Sequence, residues 1–153
     1  MLFIGQYDHT IDAKGRLAIP ADVRSRWSPK AHGGAWYAVP WPDGAVRLYT
    51  ETQFEARAAG ALPQTLTPSD AQAKLQALLF GAAARMEMDS AGRIRIPDAV
   101  IEVVGLGSEV VIVGCGDRFE VRDRAQWKKD FKERLAGLPE LLRATEAERG
   151  RGA

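Results

Sequence analysis

Two five-residue stretches set an acidic and a basic side chain four residues apart, Asp12-Ala-Lys14-Gly15-Arg16 and Asp89-Ser-Ala-Gly92-Arg93. The chemistry such a pair can do is anion recognition. An Arg that follows a rigid turn can pair with the turn's own Asp, which fixes the planar guanidinium and leaves its remaining donors facing outward. A fork held that way suits a phosphate, or the O6 and N7 edge of guanine in a major groove. For one copy alone the bland alternative is a surface salt bridge. Hairpin stability, however, does not require the same ion pair twice at a fixed spacing. Asp12 and Asp89 also suit the first position of a tight turn, and Gly15 and Gly92 the fourth, where positive φ carries no steric cost. The candidate anion-contacting residues are Lys14, Arg16, Arg93 and Arg95, with Asp12 and Asp89 organising the turns and Gly15 and Gly92 as turn formers.

Other reactive residues offer less. Cys115 lies between Gly114 and Gly116, a turn signature, and nothing in the sequence places His9 or His32 beside it. One Cys and two His give no zinc-ligand spacing. Gly105-Leu-Gly107 and Gly114-Cys-Gly116 are too short for a phosphate-cradling loop and lack a following Lys-Ser or Lys-Thr. No acid, base, nucleophile or metal ligand is clustered, so the expectation is a protein that is not an enzyme, with no cofactor and no small-molecule substrate. Trp27, Trp36, Trp41 and Trp127 lie outside the basic turns and read as core or subunit contacts rather than as a base-stacking platform.

The elements that must position the two turns come from a repeat. Asp12 through Pro20 returns as Asp89 through Pro97 at a constant offset of 77, and Phe3 matches Phe80. Alternation on either side of each turn suggests strands, so each motif reads as a β-hairpin. Each Pro is followed by a short helix candidate, Ala21 to Trp27 and Asp98 to Val104. Two alternating segments around a turn come next, Trp36 to Val39 with Val46 to Tyr49, and Val110 to Val113 with Arg118 to Val121. A capping signal then opens a helix, Thr50-x-x-Gln53 or Asp123-x-x-Gln126, in which the Gln reaches back. The reading is mainly β with helices, α+β, in two tandem repeats. The first repeat spans 1–57. Residues 58–79 hold an Ala-, Gly- and Pro-rich loop from Ala58 to Pro68 and a helix capped by Ser69 and Gln72. The second repeat, with a C-terminal helix from Gln126 to Arg143, spans 80–143, and 144–153 is expected to fray.

Composition bounds the partners. The chain has 153 residues, 46% hydrophobic and 27% charged, which suits one folded soluble domain or two small ones. A net charge of +1 denies the strongly basic footprint of a generic nucleic-acid coat, so anion binding must be local or multiplied by assembly. The excess sits at the ends, at +2 in each of residues 1–30 and 123–153. No apolar run is long enough to cross a bilayer, and no secretory leader opens the chain, which points to the cytoplasm.

The pattern Phe3-x-Gly5 through Asp12-x-Lys14-Gly15-Arg16-x-x-Ile19-Pro20 is followed by Phe80-Gly81 through Arg85-Met86-Glu87-Met88-Asp89-x-x-Gly92-Arg93-Ile94-x-Ile96-Pro97. Together they resemble the MraZ family of bacterial transcriptional regulators over nearly the whole chain. The resemblance implies a swapped-hairpin β-barrel of the AbrB and SpoVT type, with the two repeats related by a pseudo-two-fold axis. It implies ring-shaped homo-oligomers, associated with the nucleoid, that bind G-rich direct repeats in double-stranded DNA upstream of the division and cell wall gene cluster, usually repressing it. The family's DNA-contacting Asp and Arg map onto Asp12, Arg16, Asp89 and Arg93; Lys14 in the first copy faces Ala91 in the second. The competing reading is a ring-forming structural or protein-interaction module whose turns contact acidic proteins.

Overall fold

In the computed structural model, residues 1–62 and 64–152 are described; Pro63 of the expected linker loop and Ala153 of the expected tail lie outside them. The first repeat contributes β1 (Gln6–Thr10), β2 (Arg16–Ala18), α1 (Ala21–Arg26), α2 (Pro29–His32), β3 (Trp36–Pro40), β4 (Val46–Thr50) and α3 (Glu51–Ala61). Helix α4 (Asp70–Ala82) joins it to the second, which holds β5 (Ala84–Met86), β6 (Arg93–Arg95), α5 (Asp98–Val104), β7 (Glu109–Gly114), β8 (Phe119–Asp123), α6 (Arg124–Ala136) and α7 (Leu138–Gly152).

Each Asp-to-Arg motif does form a tight turn, yet its two arms are not a paired hairpin. Strand β1 pairs antiparallel with β7 of the other repeat, while β2 pairs antiparallel with β6. In the second repeat β5 likewise crosses to β3. The main sheet runs β1-β7-β8-β4-β3-β5, and β2-β6 forms a separate two-stranded ribbon. Exchanging each element for its repeat partner reverses the sheet order and leaves it unchanged, so a pseudo-two-fold axis passes between β4 and β8. This is the swapped pairing that the resemblance implies. Its hydrogen bonding stays open, because β1 and β5 are edges and the ribbon lies against the sheet without closing the ladder.

Backbone bonds tie each turn to the opposite repeat. The Ile19 N–H donates to the Gly92 carbonyl at 3.0 Å, and the Ile96 N–H donates to the Gly15 carbonyl at 2.9 Å. Leu17, Ile19, Ile94 and Ile96, all essentially inaccessible to solvent, plug the ribbon into one core with Trp36, Leu48, Ile112 and Phe119. Val23 of α1 and Val100 of α5, again 77 apart, are both buried beneath their short helices. By the capping residues the offset has dropped from 77 to 73, since Thr50 corresponds to Asp123. The four-residue helix α2 supplies the difference, having no counterpart after α5.

Several local expectations are revised. Phe80, matched to Phe3 in the sequence, lies in α4 against Phe54, whereas Phe3 bridges Gly116 and is buried in the core. Helix α3 continues through Ala61 instead of yielding to a loop at Ala58, as its alanines favour and Gly60 tolerates. The Thr50 and Asp123 side chains accept from the Gln53 and Gln126 N–H groups, but Gln126 turns to Asp130. The reciprocal capping box forms at Ser69 and Gln72 instead. The C-terminal helix breaks at Gly137, and α7 carries helical structure through residues 144–152 where fraying was expected.

Candidate nucleic-acid interface

The first turn is organised by one carboxylate. Asp12 Oδ1 accepts from the backbone N–H groups of Lys14 and Arg16, both at 2.9 Å, and Oδ2 accepts from Arg16 Nε at 2.6 Å. The chain closes behind it through Gly15 N–H to the Asp12 carbonyl at 2.9 Å. The second turn repeats every bond. Asp89 Oδ1 accepts from Ala91 and Arg93 N–H, and Oδ2 accepts from Arg93 Nε, each at 2.9 Å. The Arg16 backbone N–H, followed by its guanidinium, holds the Asp12 carboxyl below its ordinary range, and Arg93 does the same for Asp89. Both carboxyls are ionised near neutrality. Because each guanidinium spends only Nε on its Asp, both terminal nitrogens keep their donors for another acceptor.

The ribbon then aims the two forks. In the β2–β6 register Arg16 faces Arg95, Leu17 faces Ile94, and Ala18 faces Arg93. Strand alternation sends Leu17 and Ile94 into the core, so Arg16, Arg93 and Arg95 must share the opposite, outward face. The side chains of Arg16 and Arg93 are 34% and 37% exposed, neither buried in a core nor free in solvent. Strand rise and spacing separate their Cα atoms by roughly 8 Å, on the order of two base-pair steps. Directly opposed like charges destabilise a strand pair, and at the Arg16–Arg95 juxtaposition the Asp12 carboxylate on Arg16 Nε offsets this. Arg95 has neither an ion pair nor a side-chain hydrogen bond among the described residues.

All the residues expected from the sequence lie on the turns or the ribbon. Lys14 projects from the first turn, and its equivalent Ala91 brings no charge. Arg24, which the sequence did not single out, reaches from α1 of the first repeat onto the turn of the second, its Nη1 3.3 Å from the Ala91 carbonyl. The repeat alignment conceals it, since the matching position is Ile101.

The other features singled out in the sequence lie elsewhere. Cys115 is half-buried, and burial, with Glu120 nearby, pushes its thiol up to about 11, so it is a poor nucleophile near neutrality. Trp36 stacks in the core on Trp27, and Trp41 lies under the Arg47 guanidinium at 3.6 Å. Among the described residues no helix is long and apolar enough to cross a membrane, and no group of three or more His, Cys, Asp or Glu could hold a metal ion.

Comparison with known proteins identifies the family. Residues 79–144 match the family described as "MraZ protein, putative antitoxin-like". A protein of Coxiella burnetii named "Transcriptional regulator MraZ" is 35% identical over 135 residues, 88% of each chain. One from Heliobacterium modesticaldum with the same name is 34% identical, covering 88% of this chain and 90% of its own. One from Parvibaculum lavamentivorans, also so named, is 30% identical across 95% of this chain and 92% of its own. With identity at this level running through both repeats, the chain belongs to the MraZ family.

Proposed function

We propose that this protein is a sequence-specific DNA-binding transcriptional regulator, a repressor of the division and cell wall gene cluster, acting on G-rich direct repeats upstream of it. The observation that carries the reading is the pair of duplicated Asp–Arg forks on one outward ribbon face. A two-stranded ribbon fits a major groove about 12 Å wide, and an Arg with free terminal nitrogens can bind guanine O6 and N7 in a bidentate manner. Asp12 and Asp89 hold the forks, Arg16 and Arg93 read bases, and Lys14 and Arg95 meet phosphate. A single subunit offers few cations, so a cytoplasmic, nucleoid-associated ring of identical subunits would grip successive repeats together, with avidity adding roughly 100-fold or more. Nothing in this scheme needs a cofactor.

The test is fluorescence anisotropy on duplexes carrying one, two or three of the upstream repeats at two salt concentrations, with light scattering to follow assembly. Affinity should rise steeply with repeat number. Arg16→Ala and Arg93→Ala should each lose about 1 to 3 kcal/mol per bidentate base contact and relax guanine preference. Variants that assemble and bind like the parent would overturn the reading and favour a protein-interaction module.

A further inference from the structure

The two tips are built alike, but their surroundings differ in a way that bears on how each meets DNA. Within the first turn Lys14 supplies a cation beside Arg16; the second has Ala91 there. The helix packed on each turn reverses this imbalance. Beside the first turn α5 brings Ile101 and Asp98, which line a shallow groove with Asp12 and Gly15. Beside the second, α1 brings Arg24, exposed to solvent yet anchored at two points. Its Nε donates to the Ile19 carbonyl at 2.9 Å and its Nη1 to the Ala91 carbonyl at 3.3 Å. Its aliphatic stem lies over Gly92, where any β-carbon would collide with Arg24 Cδ. The guanidinium thus caps the second turn from across the pseudo-two-fold. Among the described residues its second terminal nitrogen and the other hydrogen of Nη1 have no partner.

We infer that Arg24 is a DNA-phosphate-contacting residue of the second tip, standing in for the lysine that only the first tip carries. This rests on the DNA-binding reading of the ribbon face and deepens it. Apart from Arg95 on the ribbon between them, each tip then presents one base-reading Arg and one phosphate-meeting cation beside its turn, drawn from within the turn in one case and from the opposite repeat in the other. The two anchoring carbonyls restrict the rotamers of a long side chain, so less freedom is lost when a phosphate arrives. The carbonyls of Ile19 and Ala91 are neutral and leave its positive charge uncompensated.

The experiment compares the parent with Arg24→Ala, Arg24→Ala combined with Ala91→Lys, and Arg16→Ala. The probe is a fluorescein-labelled duplex carrying one upstream repeat, read by anisotropy across a salt series, with thermal melting to confirm the fold. Arg24→Ala should weaken binding about 3- to 10-fold at ~0.1 M salt, equally on matched and scrambled duplexes. It should also flatten the slope of log affinity against log salt by about 0.9. Ala91→Lys should restore both by returning a cation to the turn. Parental affinity and slope in Arg24→Ala, while Arg16→Ala loses binding, would overturn the inference and leave the reading intact. Weaker binding with an unchanged slope, or no rescue by Ala91→Lys, would also overturn it, since Arg24 would then only position the turn. Parental binding by Arg16→Ala would overturn the underlying reading itself.

Discussion

The two turn glycines have nearly the same backbone conformation but different neighbours, so one substitution made twice should give two outcomes. Gly15 and Gly92 have φ of +80° and +75°, and an L side chain in this left-handed region costs about 1 to 2 kcal/mol at either site. A β-carbon on Gly15 would also lie 2.7 Å from the Ile96 carbonyl oxygen, a backbone atom just beyond β6. The turn cannot back away freely, because the Gly15 carbonyl itself accepts the Ile96 N–H. Relief means stretching that bond or shifting the ribbon, adding roughly 1 to 3 kcal/mol. On Gly92 the three nearest atoms all belong to the Arg24 side chain, which can give way at the loss of its hydrogen bonds to the Ile19 and Ala91 carbonyls, largely replaced by water at this exposed site. Gly15→Ala should therefore cost about 2 to 5 kcal/mol and Gly92→Ala about 1 to 2. For a chain of this size that is a fall in Tm of about 4 to 20 °C against about 2 to 8 °C. Urea unfolding and calorimetry should be run at one protein concentration, because assembly raises apparent stability by mass action. Equal losses, or a larger loss in Gly92→Ala, would refute the assignment of the extra cost to the Ile96 carbonyl.

Asp12→Asn should keep the turn and release the fork: Oδ1 still accepts two backbone N–H groups, but the new amide nitrogen meets Arg16 Nε donor to donor. A gel shift should show weaker binding with melting little changed. The Asp12 and Asp89 carboxyls are both depressed below 3.8, so the contribution of each ion pair is complete above that value and disappears only as pH falls through the lowered one. Carboxyl-carbon NMR should show no titration of either group between pH 5 and 8. Glu120→Gln should destabilise by roughly 2 to 4 kcal/mol, judged by urea unfolding. Glu120 is buried, accepts from Arg118 and Arg122 at 2.6 Å each and has Arg47 at 3.9 Å; a loss under about 0.5 kcal/mol would contradict this. Cys115→Ser should bind DNA like the parent, and the native thiol should react slowly with Ellman's reagent at pH 7.5, speeding up only toward its value of about 11.

What could be read from the sequence were the features that local chemistry determines. The turns at Asp12 and Asp89, the helices after Pro20 and Pro97 and the true hairpins β3–β4 and β7–β8 follow from residues within a few positions of one another. Strand partners did not. A tight turn with Asp first and Gly fourth has the same residues whether its arms pair or diverge, and the exchange of β1 and β2 is decided by cross-repeat contacts such as Ile19 to Gly92. Arg24 went unnoticed for the same reason, since its partner is 67 residues away. Gly60 and the nearby prolines point to a loop at 58–61, but Ala is the strongest helix former and carries α3 through Ala61.

Duplication within one chain also permits something that two identical subunits cannot have. Between β4 and β8 the register pairs Val46 with Val121, Arg47 with Glu120 and Leu48 with Phe119. Arg47 and Glu120 are 73 apart, as are Thr50 and Asp123, so they are the same position of the two repeats meeting across the axis. A symmetric pair of single repeats would set this residue against its own copy, charge against like charge. In the duplicated chain the position has become Arg on one side and Glu on the other, and Arg118 and Arg122 complete the shell around the carboxylate. Burial alone would raise the Glu120 carboxyl; Arg122 and Arg118 reverse that and hold it below its ordinary value. This centre therefore favours one repeat against the other over either against itself. The outward forks, in contrast, keep Asp and Arg in both copies. The charged position that meets its own equivalent across the axis differs between the repeats as a complementary pair, whereas the Asp and Arg of the outward forks, which do not meet each other, are the same in both.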